Sequence, residues 1–217
     1  MRDLTHAQGR VLAVLVEKQA TVPDTYPLSL NALLAGCNQK TARDPVMNLT
    51  EADVLEAIEG LRELSLINEV SGTRVTRYDH NANRGLGVPG AAVALLATLL
   101  LRGPQTAAEL RANCERLHRF ADISSVEGFL EELAEKSPPR VVRLARAPGA
   151  REARWAQLLT GEPSLPVAGP EELAAPKPAR ADEIAALRAE VAELRALVLR
   201  MAAELGMDPQ LNSESTT

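Results

Sequence analysis

Residues 28–66, LSLNALLAGCNQKTARDPVMNLTEADVLEAIEGLRELSL, decide how the rest of the chain is read. Leu30, Leu33 and Leu34 give one apolar face to a short helix over residues 29–36. A polar turn over residues 37–49 follows, interrupted by Asp44-Pro45, because the residue before a proline is pushed out of the helical region. Thr50 with Asp53 resembles a cap, and Val54, Ile58 and Leu61 form the inward stripe of a longer helix. Two helices joined by a polar turn make a helix-turn-helix pattern. Ile67-Asn68-Glu69-Val70, a Ser71-Gly72 turn and Thr73 through Tyr78 then alternate around a glycine as a β-hairpin does, so the pattern is winged.

Towards the N-terminus, Thr5 and Gln8 have the spacing of a capping box, followed by Val11, Leu12 and Leu15 at helical intervals. This helix is expected to reach about Gln19, with Pro23 and Pro27 forcing an extended connection. Residues 1–84 thus read as one winged-helix domain. The order recurs over residues 85–160. Residues 85–90 are glycine-rich and read as a linker, residues 91–101 as a buried helix. Thr106 with Glu109, and Ser124 with Glu127, read as two further capping boxes. Val126, Phe129, Leu130 and Leu133 mark an amphipathic helix, and residues 140–147 and 150–155 a second hairpin. At this level the repeat lies in the order of elements rather than in residue identity.

Residues 161–181 are rich in proline and alanine and read as a semi-stiff linker. Over residues 182–206, Ile184, Leu187, Val191, Leu194, Val198, Met201 and Leu205 alternate three and four apart, as the a and d positions of a coiled coil do. The β-branched a positions and leucine-rich d positions favour a parallel pair, so a homodimer through residues 184–205 is expected. The alternative is a single helix folding back on its own chain. Residues 207–217 read as a disordered tail. The fold class expected is mainly α with small β-hairpins: two tandem winged-helix domains followed by a C-terminal coiled-coil helix.

Composition narrows the function. Aromatic residues are only 2% of 217, so the core must be aliphatic. Formal charge is −5 overall, and it is unevenly distributed: −2 over residues 1–87, +2 over residues 88–159 and −5 beyond. No segment has the basic excess of a protein held on nucleic acid by charge alone. Cys37 and Cys114 lack metal-ligand spacing, which suits a reducing compartment. The N-terminal residues lack a signal-peptide core, and the longest apolar run, residues 88–101, is too short to span a bilayer. A cytoplasmic protein without a membrane contact is expected.

The stretches EKQATVPDTYPLSLNALLAGCNQKTARDPVMNLTEADV, LLRGPQTAAELRANCERLHRFADISSVEGFLEEL and REARWAQLLTGEP resemble the YceH-like family of uncharacterised bacterial proteins. The resemblance covers roughly residues 4–163 and is most specific at Asn38-Gln39-Lys40 and Arg43-Asp44-Pro45-Val46. It implies a tandem winged-helix fold and no particular activity.

Winged helices commonly place their third helix in the major groove of DNA. Here its outward positions carry Glu51, Asp53, Glu56, Glu59 and Glu63 against Arg62, and the equivalent helix carries Glu127, Glu131, Glu132 and Glu135. A carboxylate ~7 Å from a phosphate costs on the order of 1 kcal/mol, so this use of the helices is disfavoured. Solvated helix faces are the ordinary reading; an acidic face meeting a basic protein is the functional one. DNA contact through the turn and hairpins is the rival, since Asn and Gln pair with adenine and Arg and Lys with guanine. Its candidate residues are Asn38, Gln39, Lys40, Arg43, Arg74, Arg77, Arg140 and Arg143. Asn38 and Gln39 follow a helix, where amides also satisfy free carbonyls, and hairpin arginines also serve as edge protection. His6, His80 and His118 are scattered, and no nucleophilic triad, phosphate loop or CxxC occurs, so neither an enzyme, a small-molecule substrate nor a cofactor is expected. The expected function is a non-enzymatic regulatory or scaffolding protein with a macromolecular partner, protein favoured over DNA.

Overall fold

A computed structural model of the chain describes residues 2–71, 75–146 and 149–163. The linker from residue 164 on, the coiled-coil seam from Ile184 to Leu205, the tail and the candidate Arg74 all lie outside the described residues.

Helix α1 (His6–Thr21) opens at the Thr5–Gln8 capping box and is buried without a break from Gln8 to Val16. A helix buried on all sides needs partners on both flanks. Helices α2 (Leu30–Cys37) and α3 (Glu51–Glu63) cover one flank, and α5 (Gly90–Arg102) covers the other. Two glycines set these distances. A Cβ on Gly36 would lie 2.6 Å from Val14, and one on Gly9 would lie 2.9 Å from Leu100, so both crossings are closer than any larger residue permits. The flank facing α5 presents Leu12, Ala13 and Val16 to Val93, Leu96, Ala97 and Leu100, around a small cavity with an apolar lining.

Strands β1 (Leu28–Ser29), β2 (Ile67–Val70) and β3 (Arg77–His80) form an antiparallel sheet of order β1-β3-β2, with Leu28 opposite Tyr78 and Ile67 opposite His80. Helix α4 (Ala82–Leu86) occupies part of the expected glycine linker. It forms because Ala82 and Leu86 bury their side chains, while Asn81 anchors its start through backbone N–H to Leu66 O and side-chain N–H to Ser65 O. Gly87 ends it at φ 65°, in the left-handed region. Helices α6 (Ala107–Cys114) and α7 (Ile123–Glu135) follow α5, then the hairpin of β4 (Val141–Arg143) and β5 (Trp155–Gln157). Helix α7 starts earlier than its sequence suggests: the box is Asp122 with Ser125, not Ser124 with Glu127, because the Asp122 carboxylate accepts the Ser125 backbone N–H at 2.7 Å.

The repeat lies in the order of elements and caps, and a few residues match as well. Pro27 and Pro104, Leu33 and Leu110, Cys37 and Cys114, and Arg77 and Arg154 are each 77 positions apart. The N-caps Ser29 and Thr106, and the strand residues Tyr78 and Trp155, keep the same interval. The matches have physical jobs. Arg77 Nη1 donates to Pro27 O at 2.7 Å, and Arg154 Nη1 donates to Pro104 O at 2.8 Å. One aliphatic core nevertheless runs through both halves. Leu4 N–H reaches Leu159 O and Asp44 N–H reaches Leu101 O, both at 2.7 Å, so the start of each half is tied to the other. Among the described residues, no helix is long and apolar enough to cross a membrane.

Candidate macromolecular contact surfaces

The polar turn between α2 and α3 is held from inside. Asn38 donates its amide N–H to Leu49 O at 2.8 Å and accepts Leu49 N–H at 2.7 Å, closing the turn on itself. Arg43 is only 6% exposed. Its Nε and Nη2 donate to Gly36 O, and Nη1 and Nη2 form a fork to Glu17 at 3.2 and 2.6 Å. Arg10, 1% exposed, donates to Cys37 O at 3.1 Å and to Pro45 O at 2.6 Å. The last carbonyls of α2, orphaned by the end of the helix, are thus satisfied by two buried guanidinium groups. Burial would raise the Glu17 carboxyl, but the Arg43 hydrogen bonds and the charges of Arg43 and Lys18 hold it below the usual range.

This arrangement corrects the expected role of the turn. Asn38 and Arg43 are internal clamps: all five Arg43 donors are used, and the Asn38 amide is engaged through both its oxygen and its nitrogen. Gln39 is spent locally, donating to Thr41 and accepting from Lys18 Nζ at 3.4 Å. Arg77 is exposed but holds Thr25 O and Pro27 O. Arg140 is half-buried, with Nε enclosed and unpaired, and Arg143 is half-buried on β4. Lys40 alone of the turn candidates is exposed and without a partner among the described residues. Sequence reasoning missed Arg10 altogether, because its partners lie 27 and 35 positions away and leave no local signal.

The outward face of α3 is acidic as expected: Glu51, Asp53, Glu56, Glu59 and Glu63 are all exposed. Arg62 bridges Glu59 at 3.0 Å and Glu69 at 3.4 Å, and Arg2 reaches Glu63 at 3.6 Å. With Glu69 counted, six carboxylates face two guanidinium groups, so the face stays negative. Asp53 is held low by the Thr50 backbone N–H and hydroxyl, both part of the cap. On α7, Glu131, Glu132 and Glu135 are exposed, while Lys136 Nζ is turned to Gly87 O at 3.2 Å. Arg116, His118 and Arg119 are exposed in the turn before α7, and Arg111 is exposed on α6. Arg111 donates to Ala121 O and His118 stacks edge-on against Phe120, while Arg116 and Arg119 have no partner among the described residues.

Both cysteines and His80 are engaged inside the fold. Burial pushes the Cys37 thiol up to about 12 and the Cys114 thiol up to about 11, so both stay protonated and inert. His80 is locked as the neutral ring: Nε2 pairs with Gln19 Oε1 at 2.8 Å and Nδ1 accepts Ala82 N–H. Burial lowers its pKa, against the opposing pull of Asp79. Among the described residues, no group of three or more His, Cys, Asp and Glu side chains is placed to hold a metal.

Comparison with known proteins places the chain. The family described as "Protein of unknown function, DUF480" matches residues 4–150, and the chain belongs to it. A UPF0502 protein of Leptothrix cholodnii is 66% identical over 217 residues, covering 95% of this chain and 97% of that protein. UPF0502 proteins of Cupriavidus taiwanensis and Burkholderia pseudomallei are each 62% identical. These cover 95% and 96% of this chain, and 89% and 92% of the relatives. The membership agrees with the YceH-like resemblance read from the sequence.

Proposed function

We propose that the protein is a non-enzymatic, cytoplasmic, tandem winged-helix module that works by holding another macromolecule, with a basic protein as the partner of α3. The repeat at 77 positions supports the tandem reading, since each half runs helix, helix, helix, hairpin with matched capping and pinning residues. The single observation that carries the choice of partner is the face of α3, where exposed carboxylates outnumber the cations that reach them. Such a face repels a phosphate backbone and complements Lys- and Arg-rich protein surface. The rival DNA contact through Asn38–Arg43 loses support because Asn38 and Arg43 are consumed inside the turn.

The test is capture of protein from a nuclease-treated bacterial lysate on the immobilised full-length chain. Glu51→Lys with Glu56→Lys should abolish capture and leave the melting temperature within the range of ordinary surface substitutions, ~0.5 kcal/mol either way. Retention of nucleic acid alone, before nuclease treatment, with no protein, contradicts the reading. The homodimer through residues 184–205 belongs to the same proposal. Deleting residues 182–206 should halve the mass in light scattering, and an unchanged mass removes it.

A further inference from the structure

We propose that His80 is the catch of an acid-released latch: a proton on its ring frees the start of α4, through which the chain passes from the first half to the second, and uncovers the apolar seam between α1 and α5. This is independent of what α3 binds, and either can fail without the other.

Helix α4 is closely seated. Asn81 ties its start to the 65–66 turn, and Gly85 lies so near that turn that a Cβ would sit 2.7 Å from Leu66 and 3.0 Å from the Ser65 carbonyl oxygen. Ala82 and Leu86 turn inward, where they share an apolar lining with Leu12 and Val16 of α1 and Val93 and Leu96 of α5. The helix thus covers the place where α1 meets α5. Five residues are too few for a helix to hold itself in water. Asn81, at the N-cap, supplies no side-chain acceptor. The first helical N–H, that of Ala82, goes instead to His80 Nδ1 at 3.3 Å.

Because Nδ1 accepts that N–H, the proton of the neutral ring is on Nε2, which donates it to Gln19 Oε1 at 2.8 Å. A second proton can go only to Nδ1. There it meets the Ala82 N–H, donor against donor, and the acceptor that holds α4 is lost. The surroundings do little to accommodate the charge. Burial opposes it, and Asp79 on β3, which favours it, already accepts the Asn68 amide N–H at 2.7 Å. Ahead of β1, Tyr26 stands edge-on to the ring and accepts the His80 backbone N–H at 2.7 Å. Its own proton stays on, burial having pushed the phenol up to about 12. On α1, Glu17 and Lys18 are engaged with Arg43 and Gln39, and the residue at the ring is the neutral Gln19. On β2, Ile67 lies opposite His80 and Glu69 pairs with Arg62, while Arg84 of α4 is exposed. The cost of charging the ring therefore falls on α4. Once α4 lets go, the ring takes its proton at the ordinary value near 6.5, so acid favours the released form.

The experiment follows backbone amide hydrogen exchange in the full-length protein from about pH 7.5 to about pH 5, each rate divided by the intrinsic rate at that pH. Protection of residues 82–88 should fall about tenfold over that range, while α5 keeps its protection. His80→Asn places a side-chain oxygen near the position of Nδ1 but does not titrate, so it should hold residues 82–88 protected throughout. Gln19→Glu sets a carboxylate against Nε2, favours the charged ring and should move the fall to higher pH. Constant protection of residues 82–88 in the unaltered chain overturns the latch, and so does an equal fall in α5, which would mean that the whole fold loosens together. An equal fall in His80→Asn, or an unshifted one in Gln19→Glu, removes His80 as the catch.

Discussion

The two halves share a scaffold 77 positions apart and use their polar residues in opposite ways. Between α2 and α3 the turn is 13 residues long, and its length is stabilised by ions and amides turned inward: Arg10, Arg43, Glu17 and Asn38. Between α6 and α7 the turn is eight residues long, and it closes on apolar contact, with Phe120 buried against Phe129 and His118. The buried polar residues of the second half are neutral, Thr98 and Gln105. A long polar turn needs many internal partners, and recruiting arginines for that task leaves the first half's surface acidic. A short turn needs few, and its Arg116 and Arg119 are exposed.

The largest expected effect breaks the clamp in the first half. Removing one member of a buried, hydrogen-bonded ion pair leaves its partner uncompensated, at ~3–5 kcal/mol. Arg43→Ala should therefore cost about that much in urea unfolding, whereas Gln105→Ala, which deletes a neutral clamp, should cost only ~1–3 kcal/mol. Equal losses would remove the distinction between the halves. Next come the matched core leucines. Leu33→Ala and Leu110→Ala, both fully buried, should each cost ~2–5 kcal/mol and lower one shared unfolding transition, because a single core spans both halves. Two separated transitions would show that each half melts alone.

Acid should also act on the first half. The folded Glu17 carboxyl lies below its unfolded value, so its contribution is complete above the ordinary carboxylate range and disappears as pH falls through the folded value. His80 works in the same direction. Its folded pKa is lowered, so the unfolded chain takes the proton first and stability declines as pH drops below about 6.5. In Glu17→Gln the acid-side loss of urea stability should flatten, and His80→Gln should remove its upper part. An unchanged pH profile in both would show that neither group is linked to folding. The smallest effect is expected from the α3 surface, where Glu51→Lys and Glu56→Lys should change stability by no more than ~0.5 kcal/mol.

Much of this fold is legible in the sequence, because its signals are local. The caps at Thr5–Gln8, Thr50–Asp53 and Thr106–Glu109 span three positions each, and the helical stripes declare the buried faces. Helix α4 is not legible: it is five residues long, contains a glycine, and lacks a side-chain cap, so only its anchoring to Ser65 and Leu66 makes it a helix. The candidate turn was legible as distinctive but not as internal. Arg43 and Asn38 have the side chains that read bases, and only partners 26 and 11 positions distant reveal that they are occupied. Cations can be counted in a sequence, yet counting cannot separate Arg154, bound to Glu109, from Arg116, which has no partner among the described residues. The acidic face of α3 could be read directly, since a period of 3.6 fixes which carboxylates point outward.

The reading of the α3 face is tested most directly by measuring protein capture from nuclease-treated lysate for the full-length chain carrying Glu51→Lys with Glu56→Lys. The account predicts that captured protein disappears. Protein capture at the wild-type level would contradict it.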